Sequence, residues 1–74
     1  QQRKLSFAIE RRHHEHKDRI LSALKAGGVD IEETNLDMRQ DILRVNAEIS
    51  ISQEKLKWLE QFLSQEEHII SFSL

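Results

Sequence analysis

The stretch from Glu10 to Arg19 reads ERRHHEHKDR and holds three of the four histidines in the chain. If this stretch is helical, His13 and His16 lie on one face, because residues three apart are neighbours on a helix surface. Glu10 lies three residues before His13, and this Glu-x-x-His spacing supplies ligands in the metal sites of helical bundles. This stretch is therefore the candidate for a metal site in the sequence.

A metal site in a helical bundle needs more ligands than this stretch provides. Such sites repeat the Glu-x-x-His motif on a second helix and add further carboxylates. The remaining histidine, His68, has Gln65 in the place of the glutamate, and the chain has no cysteine to supply a thiolate. We therefore predict no metal and no other cofactor. On this interpretation His13 and His16 are amphipathic residues at the contact between the two helices, and His14 is solvated.

No other set of residues indicates catalysis. A nucleophile needs a base within hydrogen-bonding reach, and a phosphate-binding loop needs several glycines at fixed spacing. The only two glycines are adjacent, at Gly27 and Gly28, and no serine is paired with a candidate base by a recognisable motif. We therefore predict that the protein is not an enzyme and takes no small-molecule substrate.

The charges of the chain are unevenly distributed. Residues 1–29 carry seven Lys and Arg against three acids, and residues 30–74 carry four against ten. A basic helix in the first part would attract phosphate groups, but its own acids and the acidic second part oppose a polyanion. A nucleic-acid-binding basic helix is therefore kept only as a further alternative. Membrane binding is not expected, because the tryptophan lies outside the basic part and no long apolar run exists.

Composition and periodicity predict an all-α protein. Proline is absent, only two glycines occur and 32% of the residues are charged, which is more typical of long helices than of a sheet. The paired glycines are the one strong helix breaker. We therefore predict a single helical module over residues 1–74, with a first helix over about residues 5–26, a turn at 27–30 and a second helix over about residues 31–70.

Apolar residues recur at helical intervals in both predicted helices. Steps of three and four place one stripe on the first helix, and a heptad repeat runs along the second. Asp30, followed three residues later by Glu33, resembles a capping box at the start of the second helix. Serine and β-branched residues leave a break near Ser50 open. The predicted core of this antiparallel, coiled-coil-like hairpin contains Leu5, Ile9, His13, His16, Ile20, Leu24, Met38, Ile42, Val45 and Ile49.

The second predicted helix is longer than the first. At about 1.5 Å per residue, the part beyond Glu54 has no first helix to pack against, although it contains the apolar stretch KLKWLEQFL. Leaving such side chains in water would forgo about 1.5–3 kcal/mol for each of them. We therefore predict a homodimer, or a complex with a heteromeric helical partner, that assembles into a helical bundle. The predicted interface contains Ile51, Leu56, Trp58, Leu59, Phe62, Leu63, Ile69 and Ile70.

These features predict an oligomerisation or scaffold coiled-coil module of a larger intracellular protein, in the cytoplasm or nucleus. The absence of cysteine and of a signal-like apolar run favours a reducing compartment. The first residue, Gln1, indicates a segment of a longer protein. The predicted hairpin also resembles in outline the antiparallel hairpins by which Rho-type effectors contact their GTPases. That resemblance implies an alternative function as a regulatory docking hairpin for a small GTPase.

Overall fold

The computed structural model describes residues 1–74 as four strands and two α-helices in the order strand, helix, strand, strand, helix, strand. A short 3-10 helix, Arg11–His13, connects the first strand to the first α-helix. The elements are β1 (Gln2–Glu10), α1 (His16–Ala26), β2 (Asp30–Arg39), β3 (Ile42–Ser50), α2 (Gln53–Gln65) and β4 (Ile69–Ser73).

The four strands form one antiparallel sheet in the spatial order β2-β3-β1-β4. The two strands that follow a helix, β2 and β4, lie at the edges of the sheet. Each helix therefore connects two strands that have another strand between them: α1 leads from β1 to β2, and α2 leads from β3 to β4. This is the split βαβ arrangement of ferredoxin-like folds.

The core lies between one face of the sheet and the two helices. Along β3 every second residue is buried, from Leu43 to Ile49, as expected for a strand with one covered face. β1 contributes the fully buried Phe7, and α2 contributes Leu59 and Leu63. The complete buried cluster contains Leu5, Phe7, Ile9, Ile20, Leu24, Val29, Leu43, Val45, Ala47, Ile49, Ile51, Leu59 and Leu63.

The prediction of an all-α hairpin is wrong, because the apolar spacing that suggested helices also fits strands. The step from Leu5 to Ile9 is four residues, which is a multiple of the strand period of two. Phe7 lies between them and is buried on the same face. The predicted heptad joins Ile42 to Ile49, but seven is odd, so these residues face opposite sides of β3. Ile49 is buried and Ile42 is 36% exposed.

The chain also reverses direction more often than the predicted hairpin does. Gly28 has a φ of 99° and follows the end of α1, but the glycine turn leads into β2 and not into a second helix. Gln40, with a φ of 54°, and Asp41 connect β2 to β3 in a two-residue loop. Neither residue belongs to the Asn-Gly type of pair that signals such a loop. The break left open near Ser50 lies where β3 ends, and α2 begins at Gln53.

The apolar stretch of the predicted overhang is covered within the chain. α2 packs Leu59 and Leu63 into the core. Trp58 stacks on Phe62 with ring centroids 5.5 Å apart and lies against Gly27 after the end of α1. Of the other predicted interface residues, Ile51 is buried, Leu56 and Ile69 are partly buried, and Ile70 is exposed.

The observed fold removes the basis of the coiled-coil scaffold and of the GTPase-docking hairpin, because neither a long second helix nor a helical hairpin exists. The basic helix predicted for nucleic acid is divided among β1, the 3-10 helix and α1. Self-association stays a prediction. The exposed helical face on which that prediction was based does not exist in the structure. None of the helices combines the length and apolar character needed to span a membrane.

Candidate metal centre

Two histidines that are close in sequence and a third from near the other end of the chain meet at one end of the sheet. His13 ends the 3-10 helix, His16 is the first residue of α1, and His68 immediately precedes β4. All three side chains are partly buried, and each offers a ring nitrogen within 4.8 Å of those of the other two. We refer to these three residues as the histidine cluster.

The pairing of β1 with β4 explains how the histidine cluster forms. The two strands are antiparallel, and Ile9 lies opposite Ile69. The residue that precedes β4 therefore lies beside the segment that follows β1. That segment turns through the 3-10 helix into α1, which places both His13 and His16 next to His68.

The imidazole rings are in contact but are not yet arranged around one point. His16 and His68 are stacked, with centroids 3.9 Å apart and planes 19° apart. His13 is tilted, with centroid distances of 5.8 Å to His16 and 4.6 Å to His68. Nitrogen ligands of a tetrahedral zinc ion lie about 3.3 Å apart, given Zn–N bonds of about 2.0–2.1 Å. Because nitrogen lone pairs lie in the ring planes, the side chains would have to rotate and open the stack for all three to bind one metal ion.

Two exposed glutamates flank the histidine cluster. A hydrogen bond from Arg12, with 3.0 Å between Nε and Oε2, lowers the pKa of Glu10, and neighbouring imidazoles lower it further. Oε1 of Glu15 lies 3.8 Å from Nε2 of His16. The pKa of Glu15 is lowered mainly by a hydrogen bond from its own backbone amide. Both carboxylates are therefore ionised at neutral pH and favour a cation nearby.

A third glutamate, Glu66, occupies a more buried position. Its side chain is 10% exposed. It accepts two hydrogen bonds from Arg19, with 2.5 Å between Nη2 and Oε1 and 3.3 Å between Nη1 and Oε2. These bonds lower the pKa of Glu66 and raise the pKa of Arg19, and the backbone N–H of His68 lowers the pKa of Glu66 further. The pair joins α1 to the connection between α2 and β4, which carries His68.

Arg19 also contacts the histidine cluster directly. Its Nε–H donates a hydrogen bond to Nδ1 of His16, with 3.3 Å between the two nitrogens. A neutral imidazole that accepts a hydrogen bond at Nδ1 carries its proton at Nε2. One guanidinium therefore holds His16 in that tautomer with one nitrogen and holds Glu66 with the other two.

The chemistry of the donor set fits some metals and not others. Neutral imidazole suits zinc, copper and nickel, whereas magnesium and calcium prefer oxygen ligands. Three protein ligands leave the fourth position of a tetrahedral ion for water or a carboxylate. The neighbouring His14 is not part of the cluster, and its side chain is 65% exposed.

The prediction of no metal ligand depends on placing His68 in a second helix, with Gln65 at the ligand position. That placement is wrong, because α2 ends at Gln65 and His68 lies in the connection to β4. The pair formed by His13 and His16 is visible in the sequence. The third histidine joins the pair only through strand pairing, for which no local sequence signal exists.

The residues predicted as hairpin core lie in three different environments in the structure. Met38 and Ile42 are 48% and 36% exposed at the β2–β3 end of the sheet. His13 and His16 belong to the histidine cluster. The others are buried between the sheet and the helices, namely Leu5, Ile9, Ile20, Leu24, Val45 and Ile49.

Comparison with known proteins finds a match in fold and not in sequence. No family model matches the chain, and no curated protein matches it. The solution structure of the C-terminal domain of the MgtC protein from Mycobacterium tuberculosis superposes with a TM-score of 0.77, over 99% of this chain and 83% of that chain, at 8% sequence identity. The chain therefore adopts the α/β fold of this MgtC domain, a likeness that concerns the fold alone.

Proposed function

We propose that this domain binds a divalent transition metal ion, with zinc as the best fit, through His13, His16 and His68. The observation that carries the proposal is the convergence of three ring nitrogens within 4.8 Å of one another. His68 lies 52 residues after His16 in the sequence, so the complete set exists only in the folded chain. Three histidines with water in the fourth position are a complete ligand set for zinc.

The charges around the histidine cluster support a cation site. Glu10, Glu15 and Glu66 carry three negative charges, against the two positive charges of Arg12 and Arg19. The metal-binding form of histidine is neutral and adds no charge. Among these five side chains the excess of one negative charge lowers the electrostatic cost of placing a dication there.

A bound metal would tie the start of α1 to the start of β4. A ligand that binds only the native state stabilises it by about 2.7 kcal/mol at a concentration of one hundred times its dissociation constant. We propose that the domain acts by binding and not by catalysis. The four surface depressions that the structure describes are lined by residues other than His13, His16 and His68.

Zinc titration of the wild type and two histidine variants tests this function. His68→Ala removes one cluster ligand, and His14→Ala removes an exposed histidine of the same sequence region as a matched control. We expect Zn²⁺, but not Mg²⁺, to raise the melting temperature of the wild type and of His14→Ala by about 4–8 °C per kcal/mol of stabilisation. His68→Ala should lose most of this rise. Equal rises in both variants, or none in the wild type, would contradict the proposed function.

A further inference from the structure

We infer that Arg19 is a built-in competitor of the metal ion, because its hydrogen bond to His16 and coordination of His16 to a metal exclude each other. The inference rests on the proposed metal site and adds how that site is regulated. The side chain of Arg19 contacts both His16 and Glu66, and Glu66 lies in the loop that carries His68.

The hydrogen bond to His16 blocks both of its possible coordination modes. If the metal binds Nδ1, it needs the lone pair that accepts the Nε–H of Arg19. If the metal binds Nε2, the proton on that nitrogen must be lost, and the neutral ring then carries its proton on Nδ1. Two N–H donors would then face each other across 3.3 Å. In either mode the hydrogen bond between Arg19 and His16 has to break.

Glu66 holds Arg19 in the competing position. The two remaining nitrogens of the guanidinium bind both oxygens of this carboxylate, which is 10% exposed. A bidentate pair of this kind fixes the direction of the guanidinium plane as well as its position. Arg19 is therefore not a freely moving surface cation, and its displacement from His16 has a cost that weakens metal binding.

The charge of Arg19 acts in the same direction as its hydrogen bond. A guanidinium in contact with a ligand ring repels a dication bound to that ring. Arg12 provides the comparison, because it lies near the same cluster but is bound to Glu10 and hydrogen-bonds to no histidine. Removing Arg12 takes away one charge without freeing any ligand nitrogen.

Competition by Arg19 makes the histidine cluster a site that exchanges its metal. In the metal-free state Arg19 connects α1 to the loop before β4, and in the bound state the metal connects the same two regions. The hydrogen bond from Arg19 to His16 and the coordination of His16 are the alternatives, and the concentration of free metal decides between them. Such a site suits a response to transition metal and not permanent structural loading.

Zinc affinity in arginine variants of the full chain tests the inference by isothermal titration calorimetry. We expect Arg19→Met to bind zinc about tenfold more tightly than the wild type, because it loses a competing hydrogen bond and a repelling charge. Arg19→Lys keeps the charge but lacks the planar fork, and we expect a gain of about threefold. Arg12→Met, the matched control, should stay within about twofold. Circular dichroism checks that each variant is folded. If Arg19→Met does not fold, the zinc affinity of Arg19→Lys tests the inference.

The outcomes separate the inference from the proposed function. Affinity that depends on His68 but does not rise in Arg19→Met or Arg19→Lys would overturn the role of Arg19 and leave the metal site in place. Zinc binding that is insensitive to His68→Ala would overturn the metal site itself. Nitrogen-15 spectroscopy of the histidine rings gives a second readout, since metal-free wild type should carry the His16 proton on Nε2. A proton on Nδ1 there would contradict the inference.

Discussion

Gly27→Ala tests the packing of the two helices through a single contact. A β-carbon at this position would lie 2.6 Å from Cζ2 and 2.8 Å from Cζ3 of Trp58. Carbon atoms in favourable contact are about 3.5–4.0 Å apart, so the indole ring or the helix must move. Gly27 has a φ of −83°, which alanine adopts without strain. The cost of the substitution therefore comes from the ring and not from the backbone.

The expected cost follows from what Trp58 loses when it moves. The ring stacks on Phe62 and closes the space between the end of α1 and α2. Forcing an extra carbon into a packed site costs about 1–3 kcal/mol. For a domain of this size, each kcal/mol lowers the melting temperature by about 4–8 °C. Gly27→Ala should therefore melt at a clearly lower temperature than the wild type.

A double-mutant cycle with Trp58→Leu assigns that cost to the contact. Leucine lacks the ring carbons that meet the new β-carbon, so Gly27→Ala should be nearly neutral in the Trp58→Leu background. Urea unfolding of the four proteins gives the coupling energy, which we expect to be about 1 kcal/mol or more. A coupling below about 0.5 kcal/mol would refute the packing described here, because distant residues give such values. Gly27 and Trp58 would be distant in a helical hairpin.

Three further predictions concern the sheet and the Arg19–Glu66 pair. Phe7→Ala should lower the free energy of unfolding by about 3–5 kcal/mol in urea titrations, because this side chain is fully buried on β1. A loss under about 1 kcal/mol would show that the position is exposed. Leu43→Lys should unfold the domain whereas Met38→Lys, 48% exposed on β2, should change stability by only about 0.5 kcal/mol; equal effects would contradict the different burial of these two positions. The folded protein lowers the pKa of Glu66 below its ordinary value of 4.5, so stability that is present above this pH is lost as the pH falls through the folded pKa. Glu66→Gln should remove that part of the pH dependence, and an unchanged acid profile in Glu66→Gln would show that the pair does not contribute.

The ranges predicted as helical from the sequence contain both helices, but they also contain β2, β3 and most of β1, so the sequence does not separate helix from strand. Residues of α1 and α2 lie inside the two ranges predicted as helical, and the glycine turn ends α1 near its predicted position. The strands were missed because a step of four from Leu5 to Ile9 satisfies both periods. The β2–β3 loop was missed because Gln40 and Asp41 lack the glycine or asparagine that usually adopts a positive φ.

Only two of the three residues of the histidine cluster, His13 and His16, could be paired from the sequence. The spacing of His13 and His16 indicates that the two side chains are neighbours in any helical turn. His68 is brought to them by the pairing of Ile9 with Ile69, and a contact between strands at opposite ends of the chain leaves no periodic pattern in the sequence. Arg19 and Glu66 were missed for the same reason, since their hydrogen bonds join α1 to the connection before β4.

X-ray absorption at the zinc edge tests the central claim most directly, because it counts the imidazoles bound to the metal. Wild-type protein with one equivalent of zinc should show three histidine ligands with Zn–N distances of about 2.0–2.1 Å. His68→Ala should show no more than two, and His14→Ala should match the wild type. A spectrum with fewer than three imidazoles in the wild type, or with three in His68→Ala, would contradict a metal site formed by His13, His16 and His68.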